Sequence, residues 1–160
     1  MQKYHMRKQE KEITNREKIY DILKRGKYTI LSLCRDNEPY IVTLSYGFDD
    51  KRNSLYLHTA NQGLKIEFIE KNPSICGTVI EDRGYKMNKC SHAYCSIVFW
   101  GKISVIEDLK EKKHAFNVLV NHLEDNPDKI QKKFLKKDTD YYNTCLLRLD
   151  IIEITGKKSL

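Results

Sequence analysis

The sequence has 160 residues, of which 40% are hydrophobic and 32% charged, a balance that fits one folded domain with its own core and excludes an intrinsically disordered chain. The net charge of +7 comes from 29 Lys and Arg against 22 Asp and Glu. Much of it sits in runs at Lys3 to Lys11, Lys132 to Lys137 and Lys157–Lys158, which read as solvated faces, so no nucleic-acid partner is expected. Apolar runs such as Ser96–Trp100 fall far short of the roughly 20 residues that span a bilayer, and Met1–Lys11 has no apolar core of a secretory signal; a cytoplasmic protein without a membrane partner is expected.

Along the chain, Thr14-Asn15-Arg16-Glu17 matches a capping box, in which a hydroxyl and a carboxylate satisfy free backbone N–H groups at a helix start. Ile19, Ile22 and Leu23 follow at helical spacing, and Gly26 is placed to stop the helix. Tyr28–Cys34, Tyr40–Tyr46 and Ser54–Thr59 are β-rich and separated by turns at Arg35–Pro39 and Phe48–Asn53, which predicts an antiparallel meander. Gln62–Lys71 suits a short helix that ends at Asn72-Pro73, because the residue before proline disfavours the α region. Ser74–Ile80 reads as a strand, Glu81–Ser91 as a polar loop, and Ala93–Glu107 as a long strand bending at Gly101. Leu109–Leu123 carries Phe116, Leu119, Val120 and Leu123 on one helical face, Asp128–Lys136 suggests a further short helix, and Asn143–Thr155 closes as a strand.

Six strands without β-α-β alternation exclude a doubly wound parallel sheet. They predict a mainly β protein with peripheral helices, a small antiparallel barrel forming one domain over residues 1–160. The five cysteines, Cys34, Cys76, Cys90, Cys95 and Cys145, are odd in number and scattered, which argues against a disulfide framework. Cys90, His92 and Cys95 lie close in sequence, but structural zinc sites use four ligands in tighter pairs, so reduced thiols and no metal are expected. The lone tryptophan, Trp100, is read as core.

The chemistry-bearing stretch is Leu55–Lys65. A strand ends in small polar residues, glycine follows, and a helix opens on a lysine. Backbone N–H groups at a helix N-terminus attract anions, a lysine adds a full positive charge, and the Thr59 hydroxyl can donate to the same oxygens. By these residues alone the segment is either a phosphate corner or an ordinary strand–turn–helix junction.

Four motifs follow one another in order: Met6-Arg7-Lys8 through Glu12-Ile13-Thr14; Pro39 through Gly47; Leu55 through Ala60 with Gly63 and Lys65; and Tyr94 through Val98 with Gly101 and the ending Ile154-Thr155-Gly156-Lys157. Together they resemble the pyridoxamine 5'-phosphate oxidase-like superfamily of FMN-binding split barrels, and within it the nitroimidazole-resistance branch. The resemblance implies a six-stranded antiparallel split β-barrel holding FMN at the interface of a homodimer. It implies that Val42, Thr43, Leu44 and Ser45 run along the isoalloxazine ring, that Thr59 and Lys65 hold the phosphate, and that Ser96, with Tyr94 beside it, contacts the flavin. His58, a histidine typical of that branch at this strand end, is implied to contact the flavin and to act as the catalytic residue that gives it a hydrogen bond or a proton; the alternative is a strand-end histidine that packs beside the barrel mouth.

Leu64 stands where relatives with full oxidase activity have an arginine, and no counterpart of the substrate-phosphate arginines is found near the C-terminus; pyridoxamine-phosphate oxidase activity itself is therefore not expected. The implied function is an FMN-dependent oxidoreductase that takes electrons from a small-molecule donor and passes them to a small acceptor, nitroaromatics among the candidates. The alternative is a flavin carrier or sensor without catalysis. FAD or a deazaflavin would present a phosphate to the same corner.

Overall fold

The computed structural model describes residues 6–135 and 137–160. After a 3₁₀ turn at Gln9–Lys11 come β1 (Glu12–Ile13), α1 (Arg16–Arg25), β2 (Tyr28–Arg35), β3 (Glu38–Asp49), β4 (Ser54–Thr59), α2 (Leu64–Lys71), β5 (Ser74–Lys86), β6 (Ser91–Val105), α3 (Leu109–Leu123), α4 (Pro127–Phe134), α5 (Asp138–Tyr142) and β7 (Cys145–Ser159). Strand β6 shows why these residues make a barrel. Ala93, Cys95, Ile97, Phe99, Gly101 and Ile103 are buried, while the residues between them are half-buried or exposed, the period of two that a sheet with one buried face requires.

The strands pair antiparallel in the order β7-β4-β3-β2-β5-β6, and β6 returns to pair with β7. This is the expected six-stranded closed sheet; the two-residue β1, too short to be read from sequence, adds at Ile13↔Gly156. The barrel is plugged by α1, whose Ile19, Ile22 and Leu23 join Leu31, Leu55, Leu57, Ile97, Phe99, Leu147 and Leu149 in one core cluster. Gly77 lies directly across from Phe99, and a Cβ there would collide with the Phe99 ring, so this glycine is what lets the phenyl group fill the barrel.

Several boundaries differ from the sequence expectation. The cap of α1 is Asn15, not Thr14: its side-chain oxygen accepts from the Lys18 N–H at 3.1 Å. The stretch read as a polar loop, Glu81–Ser91, is mostly a hairpin arm, with β5 and β6 pairing out to Lys86↔Ser91 around a bulge between Asp82 and Tyr85. The arm is polar because it projects beyond the barrel and buries neither face. Trp100 faces outward and is half-buried beside Cys34 and Lys102, while Phe99 takes the core position. The helix expected at Asp128–Lys136 is present as α4, and its expected last residue, Lys136, lies outside the described residues. So do residues 1–5 of the polar N-terminal run.

Helix α3 lies on the outside of β3 and β4. Its Ala115 and Leu119 form a second apolar cluster with Tyr56, Ile106 and Leu146. A charged network pins it. The Tyr56 hydroxyl donates to Glu111 at 2.6 Å, Arg52 donates to the same carboxylate at 2.7 Å, and Arg148 reaches it at 3.4 Å. Burial pushes the Tyr56 phenol up to about 12, so it remains a donor. Burial works to raise the Glu111 carboxyl, but the bonds from Tyr56 and Arg52 outweigh it and hold the group below its ordinary range. A carboxyl depressed in the folded state adds stability above its unfolded pKa and loses it as pH falls through the folded value. Glu111→Gln is therefore expected to be less stable than the parent at neutral pH, with the difference closing between about pH 5 and pH 3; thermal melts across that range check this, and a constant difference would contradict it.

Candidate anion-binding corner

The corner begins where β4 ends. Both faces of β4 are buried from Ser54 to Leu57, and at the strand's end His58 is exposed while Thr59 is buried, so these two neighbours point to opposite sides. Thr59 faces the barrel end, pairs with Cys145 on β7, and is only 8% exposed. Its Oγ1 is buried without a hydrogen-bond partner, a condition that native structures rarely tolerate.

The chain then turns through Ala60–Gly63 into α2. Asn61 ties this turn to β7 by donating to the Asn143 carbonyl at 3.1 Å. Gly63 caps the helix with φ +127°, and nothing lies within 4 Å of where its Cβ would stand. No side chain caps α2, so its first-turn N–H groups keep their partial positive charge. Lys65 is half-buried in that turn and has no hydrogen bond or ion pair among the described residues. Burial pushes the thiol of Cys145, Thr59's cross-strand partner, up, and the charges of Lys112 and Lys65 oppose this more weakly.

Sequence reading missed Lys112. This buried lysine donates from Nζ to the carbonyls of Tyr141 and Thr144, at 3.2 and 3.0 Å, and so holds the entry to β7 against the corner. The signal was its spacing: Lys112, Ala115 and Leu119 fall on one face of α3.

The second expected group lies on β3. Val42 and Leu44 lean on the core and Thr43 and Ser45 are exposed. On one side β3 pairs with β2 from Glu38 to Ser45, but its ladder to β4 covers only Tyr46 to Asp49. The backbone of Val42–Ser45 therefore offers a free strand edge among the described residues. Ser45 and His58 are the first residues beyond the end of the β3–β4 ladder, which brings His58 to the same mouth although its ring faces away from Thr59. His58 is exposed.

Tyr94 and Ser96 are not brought to this corner. They sit on the outer face of β6 and line a hollow of 280 Å³ with Ile80, Asp82 and His92. Three strand spacings separate β6 from β3 through β5 and β2, roughly 14 Å around the sheet. Between them the outer face exposes Ile41, Tyr28 and Ile80, at 66%, 59% and 53%. Among the described residues no helix is long and apolar enough to cross a membrane, and no group of three metal-ligating side chains occurs.

Comparisons with known proteins follow this geometry. A family described as pyridoxamine 5'-phosphate oxidase matches residues 15–158. No curated protein matches the sequence. Among solved structures, a candidate 5-nitroimidazole antibiotic resistance protein from Bacteroides thetaiotaomicron is similar at 26% identity, over 91% of this chain and 85% of that one, with a TM-score of 0.75. A flavocytochrome from Azotobacter vinelandii is similar at 17% identity over 98% and 73% of the two chains, with a TM-score of 0.82. An FAD and heme binding protein from Mycobacterium smegmatis is similar at 19% over 93% and 73%, with a TM-score of 0.76. The last two, at such identities, share the fold alone.

Proposed function

The chain belongs to the pyridoxamine 5'-phosphate oxidase family, and from that premise we propose that it binds FMN and passes electrons from a reduced small-molecule donor to a small acceptor. The observation that carries this reading is the Thr59 hydroxyl, buried without a partner beside the uncapped start of α2 and the unpaired Lys65. A phosphate there would accept from all three, and the donor set fits the phosphate end of a flavin mononucleotide. The free edge of Val42–Ser45 supplies backbone donors and acceptors for the polar edge of the ring. When bound, the flavin supplies the redox chemistry; the protein positions it and sets its electrostatics. His58, exposed at the same mouth, is the residue proposed to donate or hold a proton near the reacting atoms.

Tyr94 and Ser96 lie too far around the sheet to join the corner within one chain. Two copies packed through the exposed face of Tyr28, Ile41 and Ile80 would cover that apolar surface and bring β6 of one against the corner of the other. A homodimer with FMN at its interface is thus part of the proposal. Nitroaromatics are the proposed acceptor class, in line with the similarity to a candidate 5-nitroimidazole antibiotic resistance protein.

The absorption spectrum of the purified protein tests the binding. Two flavin bands, retained through gel filtration or restored by added FMN, are expected; a colourless protein that cannot be reconstituted overturns the reading. Anaerobic mixing with reduced nicotinamide then tests the catalysis. Bleaching of the bound flavin supports an oxidoreductase, and flavin that stays oxidised with every donor marks a carrier. Sedimentation tests the dimer, since a monomer holding FMN tightly contradicts a shared site.

A further inference from the structure

A second cavity lies at the far end of β7 from Cys145, between α1, the β5–β6 arm and the strand's last residues. Its volume is 240 Å³, below the roughly 300–1,000 Å³ of sites for drug-sized ligands, so it has room for one half of a low-molecular-weight disulfide, with the other half outside. Four cations from three elements line it: Lys18 and Arg25 of α1, Arg83 of β5 and Lys158 of β7. Asp21 also lines it, and Glu81 bridges the two guanidiniums, accepting from Arg25 at 2.6 Å and Arg83 at 3.3 Å. These two acids leave the ammonium groups of Lys18 and Lys158 without a hydrogen bond or ion pair among the described residues.

The floor of the cavity is a thiol. Cys95 lies on β6 across from Glu81 and Lys158. It is 7% exposed and has no hydrogen-bond partner among the described residues. A core position facing inward on β6 would ordinarily take an aliphatic side chain, as Ile97 does two residues on. Here a nucleophilic group stands at the base of a pocket with excess positive charge. Cations lining a cavity raise the local concentration of anions beside the thiol.

We propose that this cavity binds small anions and that Cys95 exchanges there with anionic low-molecular-weight disulfides. The Cys95 thiol gives its proton to solvent, and Sγ attacks one sulfur of the disulfide. The disulfide's S–S bond breaks as the new one to Cys95 forms, and the other half leaves as a thiolate. The disulfide is the oxidant, and the site is independent of the flavin corner.

The test uses the full-length protein and two disulfide reagents, the dianionic 5,5'-dithiobis(2-nitrobenzoate) and the neutral 4,4'-dithiodipyridine. After brief reaction, acid quenching and digestion, mass spectrometry reads labelling at Cys95 against the exposed Cys34 as internal reference. Relative to Cys34, Cys95 is expected to favour the anionic reagent on the order of tenfold. Inorganic phosphate should slow that labelling more than sodium chloride of equal ionic strength. Lys18→Gln combined with Lys158→Gln should abolish the preference and leave the rate with the neutral reagent unchanged. A Cys95 that neither reagent labels in the folded protein overturns the proposal. So does equal preference at Cys95 and Cys34, or a preference that survives in the double variant.

Discussion

Phe99→Ala is expected to lower the unfolding free energy by about 3–5 kcal/mol, the range for truncating a buried aromatic ring. Phe99 is fully buried in the barrel core, and its ring occupies the space above Gly77 on the neighbouring strand. Removing the ring leaves a cavity that the barrel cannot close, because the strands on both sides of β6 are fixed by long ladders to β5 and β7. At about 2–4 °C per kcal/mol for a chain of this size, the melting temperature should fall by roughly 6–20 °C. The reverse substitution tests the same packing. Gly77→Ala alone should destabilise, because its methyl group meets the Phe99 ring and Leu31. In a Phe99→Leu background the same alanine should cost less, since part of the clash is gone. Additive effects in that double-mutant cycle would show that the two positions do not share one space.

The pairing of Phe99 with Gly77 also shows what could and could not be read from the sequence. The alternation in Ala93–Ile103 is a periodic signal, so the strand was legible, but which of the adjacent Phe99 and Trp100 faces inward depends on register with β5 and β7. The larger aromatic was expected inside, and the glycine opposite Phe99 decided otherwise. The hairpin arm beyond Asp82 was illegible for a related reason. A ribbon that buries neither face has no reason to alternate, and its polar residues resemble a loop. At α1 both Thr14 and Asn15 are good capping residues, and the local sequence does not choose between them. That Thr59 and Lys65 share one corner was legible because strand, turn and helix are contiguous. Lys112 comes from an element nearly fifty residues later, and only the docking of α3 on β4 and β7 reveals it.

The corner itself yields the prediction in which structure and function separate. Lys65→Ala is expected to weaken FMN binding by about 1.5–3 kcal/mol, the range for a hydrogen bond to a charged group, or roughly tenfold to more than a hundredfold in Kd. Leu64 adds no charge beside it, and Lys112 is already committed to two backbone carbonyls, so no neighbour replaces the lost ammonium. A lysine that was only a surface charge would leave Kd unchanged, and equal affinity in titrations followed by flavin fluorescence would remove it from the site. Thr59→Val asks the question from the other side. The substitution keeps the shape of the side chain and deletes a hydroxyl that is buried without a partner. Burying such a group costs about 1–3 kcal/mol, so the flavin-free protein should become more stable by up to that amount. The same change should weaken FMN binding, because the deleted hydroxyl is the one proposed to meet the phosphate. A hydroxyl with a purely structural partner would give the opposite pattern, with lower stability and unchanged affinity. Gain of stability together with loss of affinity is the result expected of a residue whose polar group is kept for a ligand rather than for the fold.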